Sequence, residues 1–275
     1  MKLLNLFFAF AAAAAASSLA PTAQAARLGL AWAADSRWSP RIFGTSLGDR
    51  SRLDWVWHWE DGPLTEVPNI EWVPCFWGPS KTDKWNLRKK EISLRATKPQ
   101  AILAFNEPDV SGQSNLPDAT AAATLWMNEL APFQKTGIRV SSPQIVWDFN
   151  WLDKFFAALK QKGGDVDFIA IHWYGSAQKN PLANLQAYVQ KARKYNKPIW
   201  ITEYGLNTND GGPSIDAARN FHFAATNWML NQTYIERISP FGTFASAPDS
   251  YGSQRNRHFM PDGSLSILGK FYKSG

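Results

Sequence analysis

The 275-residue sequence contains a single cysteine, Cys75, which excludes an internal disulfide. It lies in the apolar stretch EWVPCFW and reads as a buried small hydrophobe. Histidine is also scarce. The four, at positions 58, 172, 222 and 258, show no HxH or HxxxH spacing, and without a cysteine pair the pattern offers no metal site. No Gly-rich loop opens a helix after a strand in phosphate-binding form, so no cofactor is expected. Charged residues make up only 19% of the chain, and its net charge of +6 comes from Lys and Arg spread without a cluster. That distribution argues against a nucleic-acid partner. After the first 25 residues no apolar run is long enough for a membrane span.

The first 25 residues differ from the rest. Lys2, an apolar run from Leu3 to Ala16 and small residues at Ala23 and Ala25 form the pattern of a secretory signal peptide cleaved after Ala25. The expected product is a secreted monomer, extracellular or periplasmic. No Ser/Gly/Pro linker divides residues 26–275, and that length suits one catalytic α/β barrel. The same region holds all 14 tryptophans. Flat rings in such number suit stacking against sugar faces as well as core packing.

Eight short apolar or aromatic runs end in turn residues: RLGLAW from Arg27, DWVWHW from Asp54, EWVPCF from Glu71, AILAFN from Ala101, IRVSSP from Ile138, VDFIAIHW from Val166, PIWITE from Pro198 and RISPFGTF from Arg237. Most are continuous rather than alternating, as parallel strands covered on both faces are. Helical periods precede the last five; Leu152, Phe155, Phe156 and Leu159 show the i, i+3, i+4 spacing. The pattern predicts a single (β/α)8 TIM barrel. Its second unit is degenerate, because EDGPLTEVPN between the second and third runs carries two prolines and no helical period.

Two runs end in polar residues. AILAF is followed by Asn106 and Glu107, with Pro108 stopping the strand; PIWIT is followed by Glu203. Glu107 and Glu203 stand 96 residues apart, about three βα units, which brings both to the C-terminal mouth where barrel enzymes carry their chemistry. Two facing carboxyl groups suit glycosidic-bond cleavage: one protonates the leaving oxygen, and the other attacks the anomeric carbon or activates water.

AFNEPD and ITEYG, with DFIAIHWYG and VPCFWG in this order, resemble the signatures of clan A glycoside hydrolases, and more narrowly family 128, the Asl1-like catalytic core. The resemblance runs from RLGLAW to LGKFY. It implies a retaining endo-β-1,3-glucanase acting on glucans of the laminarin or curdlan type, with Glu107 as general acid/base and Glu203 as nucleophile. It also implies that Asn106 hydrogen-bonds the 2-hydroxyl of the sugar under attack. In that scheme the pocket raises the pKa of Glu107 while Glu203 stays ionised.

His172 and Tyr174 share a strand face and are expected at the substrate site, where, if that face is the barrel interior, Tyr174 or His172 orients Glu203 by hydrogen bonding. Trp77, before a Gly-Pro turn, is expected to stack on glucose. Trp32, Trp57, Trp147 and Phe244 lie near other strand ends as further sugar contacts or core, and Tyr204 is expected to line the floor of the site. The polar stretch from Ala247 to Gly263 reads as a solvated connection. Two alternatives share these residues: a clan A glycosidase for another β-glucan or mannan linkage, and a non-catalytic β-glucan-binding protein. The second is disfavoured because both glutamates and Asn106 are present.

Overall fold

The structure, a computed structural model of the chain, describes residues 26–33, 38–44, 53–246 and 254–275. The signal-peptide expectation falls outside them. Each of the eight runs forms a strand: β1 (Arg27–Ala31), β2 (Leu53–Trp57), β3 (Glu71–Val73), β4 (Ala101–Ile102), β5 (Arg139–Val140), β6 (Ile169–Gly175), β7 (Ile199–Leu206) and β8 (Ile235–Ile238). All ladders are parallel. One sheet runs β3-β2-β1-β8-β7-β6 and a second pairs β4 with β5. Single bridges, Cys75 to Leu103 on one side and Ser141 to Phe168 and Ile145 to Ile171 on the other, join the two into a closed ring.

Helices α1 (Thr82–Leu94), α2 (Ala119–Glu129), α3 (Ala131–Gln134), α4 (Phe149–Gln161), α5 (Pro181–Ala192), α6 (Ile215–Leu230) and α7 (Ile267–Ser274) follow. Short polar side chains start most of them, as N-cap chemistry requires: Asp118 accepts amide hydrogens at the start of α2, Asp148 at α4 and Ser214 at α6. Residues 58–70, between β2 and β3, contain turns and no helix, so the second unit is degenerate as its prolines predict. No described helix is long and apolar enough to cross a membrane.

The continuous apolar strands are explained by two cores. Leu28, Leu30, Ile169, Ile171, Ile199 and Ile201 face outward into the helix layer. Ala31, Trp55, Trp57, Val73, Cys75, Leu103, Phe168, Ala170 and Trp200 fill the barrel interior. Cys75 is 2% exposed and is one of these packing residues. Gly29 makes room for the filling, since a Cβ there would stand 2.4 Å from the Trp55 indole.

The polar stretch after β8 departs from expectation where it is described. Asn256, His258 and Phe259 are buried. The Asn256 amide donates to the Leu206 carbonyl and accepts from the Leu206 N–H, both on β7. Residues that look solvated by composition are thus a strap hydrogen-bonded to the end of β7.

At the N-terminal end of the barrel the aromatic filling meets charge. Arg237 is 3% exposed, pairs with Glu71 at 2.8 Å and lies 4.2 Å from the Trp200 ring centroid. Glu71 also binds Arg27 at 2.7 Å, and Glu236 takes Arg139 and the Trp200 indole N–H. Removing one member of such a buried set leaves its partner desolvated and unpaired. Arg237→Ala is expected to cost about 3 kcal/mol or more in denaturant unfolding; a loss under about 1 kcal/mol would mean that the base does not depend on this pair.

Candidate active site

The strand ends place the polar residues through two local irregularities. On β7, strict alternation from Trp200, which fills the interior, would turn Thr202 and Tyr204 inward and Glu203 out. The ladder with β6 instead shifts register: Ile171 pairs with Ile201, and His172 with Glu203. The extra residue on β7 is a bulge, which re-aims everything after it. Thr202 and Glu203 both face inward, and Tyr204 turns out to hydrogen-bond Thr226 on α6. The expectation that Tyr204 lines the floor of the site is therefore corrected by the bulge.

The second irregularity is at Glu107, whose φ of 46° is a left-handed conformation unusual for a side chain of this size. Its amide donates to the Gln144 carbonyl at 2.9 Å. This turn, just before the chain leaves the barrel, brings the carboxyl group over the mouth.

Glu107, His172 and Glu203 then meet. His172 Nδ1 is 2.8 Å from Glu107 Oε1, and its Nε2 is 3.5 Å from Glu203 Oε1. One donor atom from each of the three residues lies within 4.8 Å of the others, the only such grouping of potential metal ligands among the described residues. Those atoms are already engaged with one another or with neighbours. Tyr174 donates to Glu203 Oε2 at 2.5 Å, and the Trp59 indole N–H donates to Oε1 at 2.9 Å. Beneath them Gln144 donates to the Ala104 carbonyl at 2.9 Å, accepts from the Thr202 hydroxyl at 2.7 Å and sets its Oε1 3.3 Å from His172 Nε2.

Burial controls the electrostatics. Loss of solvent pushes the Glu203 carboxyl up; the nearby Glu107 charge adds to this, whereas His172 and the bonds from Tyr174 and Trp59 oppose it, and the result is about 7. Burial alone would lower the His172 pKa, but the two carboxylates outweigh it and the net direction is up. Burial also pushes the Tyr174 phenol well above its ordinary value, helped by the same carboxylates, so it remains a donor. The expectation that Glu203 stays ionised therefore holds in the free protein only above about pH 7.

Glu107, Tyr174 and Glu203 stand on a cleft of about 760 Å³ that is also lined by Trp59, Trp77, Trp147 and Phe241, and by Asn106, Gln113 and Asn207. Asn106 Nδ2 donates to Gln113 at 3.1 Å, while its buried Oδ1 has no hydrogen-bond partner among the described residues. Trp77 and Trp147 thus reach the cleft wall. Trp32, Trp57 and Phe244 do not, and those expectations are corrected. Trp32 shares the outward parity of Leu28 and Leu30 and packs edge-on to Phe259. Trp57 fills the barrel under the site, donating to the Thr202 carbonyl and Ser239, and Phe244 packs behind Phe241. His172 is fully buried and acts on the carboxylates from below. Sequence reasoning missed Trp59, although it continues the inward parity of Trp55 and Trp57. It also missed Phe241, Gln113 and Gln144, which no periodicity marks.

The raised Glu203 carboxyl sets a pH dependence of stability. Between its ordinary value of 4.5 and about 7 the folded protein holds a proton that the unfolded chain has released. Its contribution is full below pH 4.5, declines as the pH rises through 7 and is absent above. Denaturant unfolding at about pH 4.5 and about pH 8 is expected to show the wild type losing about 3 kcal/mol relative to Glu203→Gln. Parallel profiles would show that Glu203 titrates normally.

Comparison with known proteins agrees with this geometry. Residues 29–272 match the family described as "Glycosyl hydrolase catalytic core". Alkali-sensitive linkage protein 1 of Schizosaccharomyces pombe is 29% identical over 257 residues; the match covers 90% of this chain and 44% of that protein, so the chain spans less than half the length of this relative. A family 128 endo-β-1,3-glucanase from Amycolatopsis mediterranei, solved with laminaritriose, is 27% identical over 90% of this chain and 99% of its own, with a TM-score of 0.72. Variants of it with one or another glutamate replaced are also solved with laminari-oligosaccharides. A curdlan-specific exo-β-1,3-glucanase of the same family from Blastomyces gilchristii, in complex with glucose, is 25% identical over 90% and 98%, with a TM-score of 0.70. The chain belongs to the glycosyl hydrolase catalytic core family, in glycoside hydrolase family 128.

Proposed function

We propose that this chain is a retaining endo-β-1,3-glucanase that works by double displacement. The observation that carries the reading is the closeness of the two carboxyl groups: one oxygen of Glu107 and one of Glu203 lie within 4.8 Å of each other at the barrel mouth. Retaining glycosidases hold their carboxyls at roughly 5 to 5.5 Å, whereas inverting ones need roughly 6.5 to 9.5 Å to admit a water. The two glutamates replaced in the Amycolatopsis variants are separated, to within one residue, as Glu107 and Glu203 are.

In the first step ionised Glu203 attacks the anomeric carbon, and protonated Glu107 gives its proton to the departing glycosidic oxygen. In the second step Glu107 takes a proton from water, which displaces Glu203 and restores the starting state. Tyr174 and Trp59 aim the Glu203 carboxylate. In this reading Trp77 and Trp147 offer ring faces to the glucan, and Asn106 hydrogen-bonds the 2-hydroxyl. The β-1,3 linkage and internal attack are drawn from the Amycolatopsis relative.

The test is incubation of the protein with laminarin, mixed-linkage glucan, carboxymethyl cellulose and mannan. Short laminari-oligosaccharides of several lengths from laminarin alone, released first as the β-anomer in proton NMR, are expected. Glu203→Gln is expected to abolish release, and Glu107→Gln to slow it at least about 100-fold. Glucose as sole early product would replace endo by exo action; the α-anomer would overturn retention; products from another polymer would overturn the linkage.

Because Glu203 attacks as the carboxylate, kcat/KM is expected to rise with pH on an acid limb near 7. Tyr174→Phe removes a donor to that carboxylate and is expected to move the limb to higher pH. A limb that stays in place would show that Tyr174 does not tune Glu203.

A further inference from the structure

We infer that Asp109 is a positioning residue for the substrate: through the backbone of the β5–α4 loop it holds the Trp147 indole as a cleft wall on which a glucan pyranose ring stacks. The nature of the sugar rests on the function proposed above; the anchoring does not.

Asp109 receives three successive backbone amides. Val146 N–H lies 3.0 Å from each of its oxygens, Trp147 N–H donates at 2.8 Å and Asp148 N–H at 2.9 Å. Bonds to an ionised acceptor are about twice as strong as neutral ones, and without the carboxylate three amides would lose their partner together. The segment is fixed on either side by other means. Ile145 bridges to Ile171 on β6, and the Asp148 side chain caps α4 by accepting from Asn150 and Trp151. Between these two attachments it is Asp109 that takes the amide of Trp147.

The Trp147 indole itself is sparsely held. It is 59% exposed on the cleft wall, and among the described residues it makes no ring contact and no side-chain hydrogen bond. The other cleft tryptophans are held by their side chains: Trp59 by its bond to Glu203 and by Trp57 at 4.8 Å, Trp77 by Lys81 at 5.8 Å. The position of Trp147 is therefore inherited from its backbone. Asp109 also lies two residues beyond Glu107, in the turn that begins with the left-handed Glu107. One short segment, Glu107-Pro108-Asp109, thus sets both the acid/base carboxyl and the wall, and with them the distance between scissile bond and stacked ring.

An interaction made equally in ground and transition states changes KM and leaves kcat. The experiment uses full-length wild type, Asp109→Ala, Asp109→Asn, Trp147→Ala, Trp147→Phe and the double Ala variant, with laminarihexaose kinetics and hydrogen exchange at Val146, Trp147 and Asp148. Asp109→Ala and Trp147→Ala are each expected to raise KM about five- to tenfold, the worth of one aromatic stacking contact, with kcat within about twofold. The double variant is expected to match either single one, because both remove the same wall. Trp147→Phe recovers part of the affinity by restoring a ring, and Asp109→Asn, which keeps one acceptor oxygen, falls between wild type and Asp109→Ala. Exchange at the three amides accelerates in Asp109→Ala and not in Trp147→Ala.

An unchanged KM in Asp109→Ala, multiplicative effects in the double variant, or a fall in kcat at constant KM would overturn the proposal while leaving the glucanase function intact. A wild type that does not cleave laminarihexaose would overturn the β-1,3 reading instead. The anchoring would then be decided by exchange alone: unchanged protection in Asp109→Ala overturns it, and lost protection upholds it.

Discussion

The shift of register between β6 and β7 is the constraint from which the site follows. With Ile171 opposite Ile201 and His172 opposite Glu203, one residue of β7 has no counterpart, and every side chain beyond it changes face. Glu203 enters the barrel opposite His172, while Tyr204 leaves it for a polar contact with Thr226 on α6. Without the bulge Glu203 would lie under the helix layer, away from Glu107, Tyr174 and Trp59. The hydrogen bonds and the raised pKa at the mouth are consequences of that one extra residue.

Below the mouth the barrel is plugged. Trp57 fills the space under the carboxylates, and Trp55, Phe168 and Trp200 fill the base, where Arg237 and Arg139 lie against the rings. An interior so filled shuts out solvent from below, and charge at its upper surface is poorly hydrated. Burial accordingly contributes most to the shift at Glu203, and donors from Tyr174 and Trp59 act in a medium where each has more effect than in water. The tryptophan content that composition presents as a sugar-binding feature divides between this plug, the helix layer and the cleft.

Much of the barrel was legible because its signals are local. Eight apolar runs, the terminators after them and the two prolines between β2 and β3 specify strand count, order and the missing helix. The pairing of Glu107 with Glu203 was legible through spacing, since a barrel brings every third βα unit to a predictable place on its rim. What could not be read was which face each residue near a strand end takes. Tyr204 looks equivalent to Tyr174 in the sequence, yet the two fall on opposite sides of the sheet, because the alternation that separates Trp32 from Trp59 is broken on β7 by the bulge. The strap after β8 misled for a related reason: Asn256 and His258 belong to a polar stretch by composition but are buried, Asn256 by hydrogen bonds to Leu206 that span 50 residues.

By itself, then, the sequence determined the α/β barrel, the two glutamates that meet at its mouth and the family, because apolar runs, prolines and short motifs act within a few residues of chain. Only the tertiary structure decided which aromatics meet the cleft, how Glu203 is held and protonated, and what fixes Trp147. Those depend on a bulge, on a left-handed residue at Glu107 and on a carboxylate from one loop reaching the amides of another. Such contacts form between distant segments once the barrel has closed, and no periodicity along the chain encodes them.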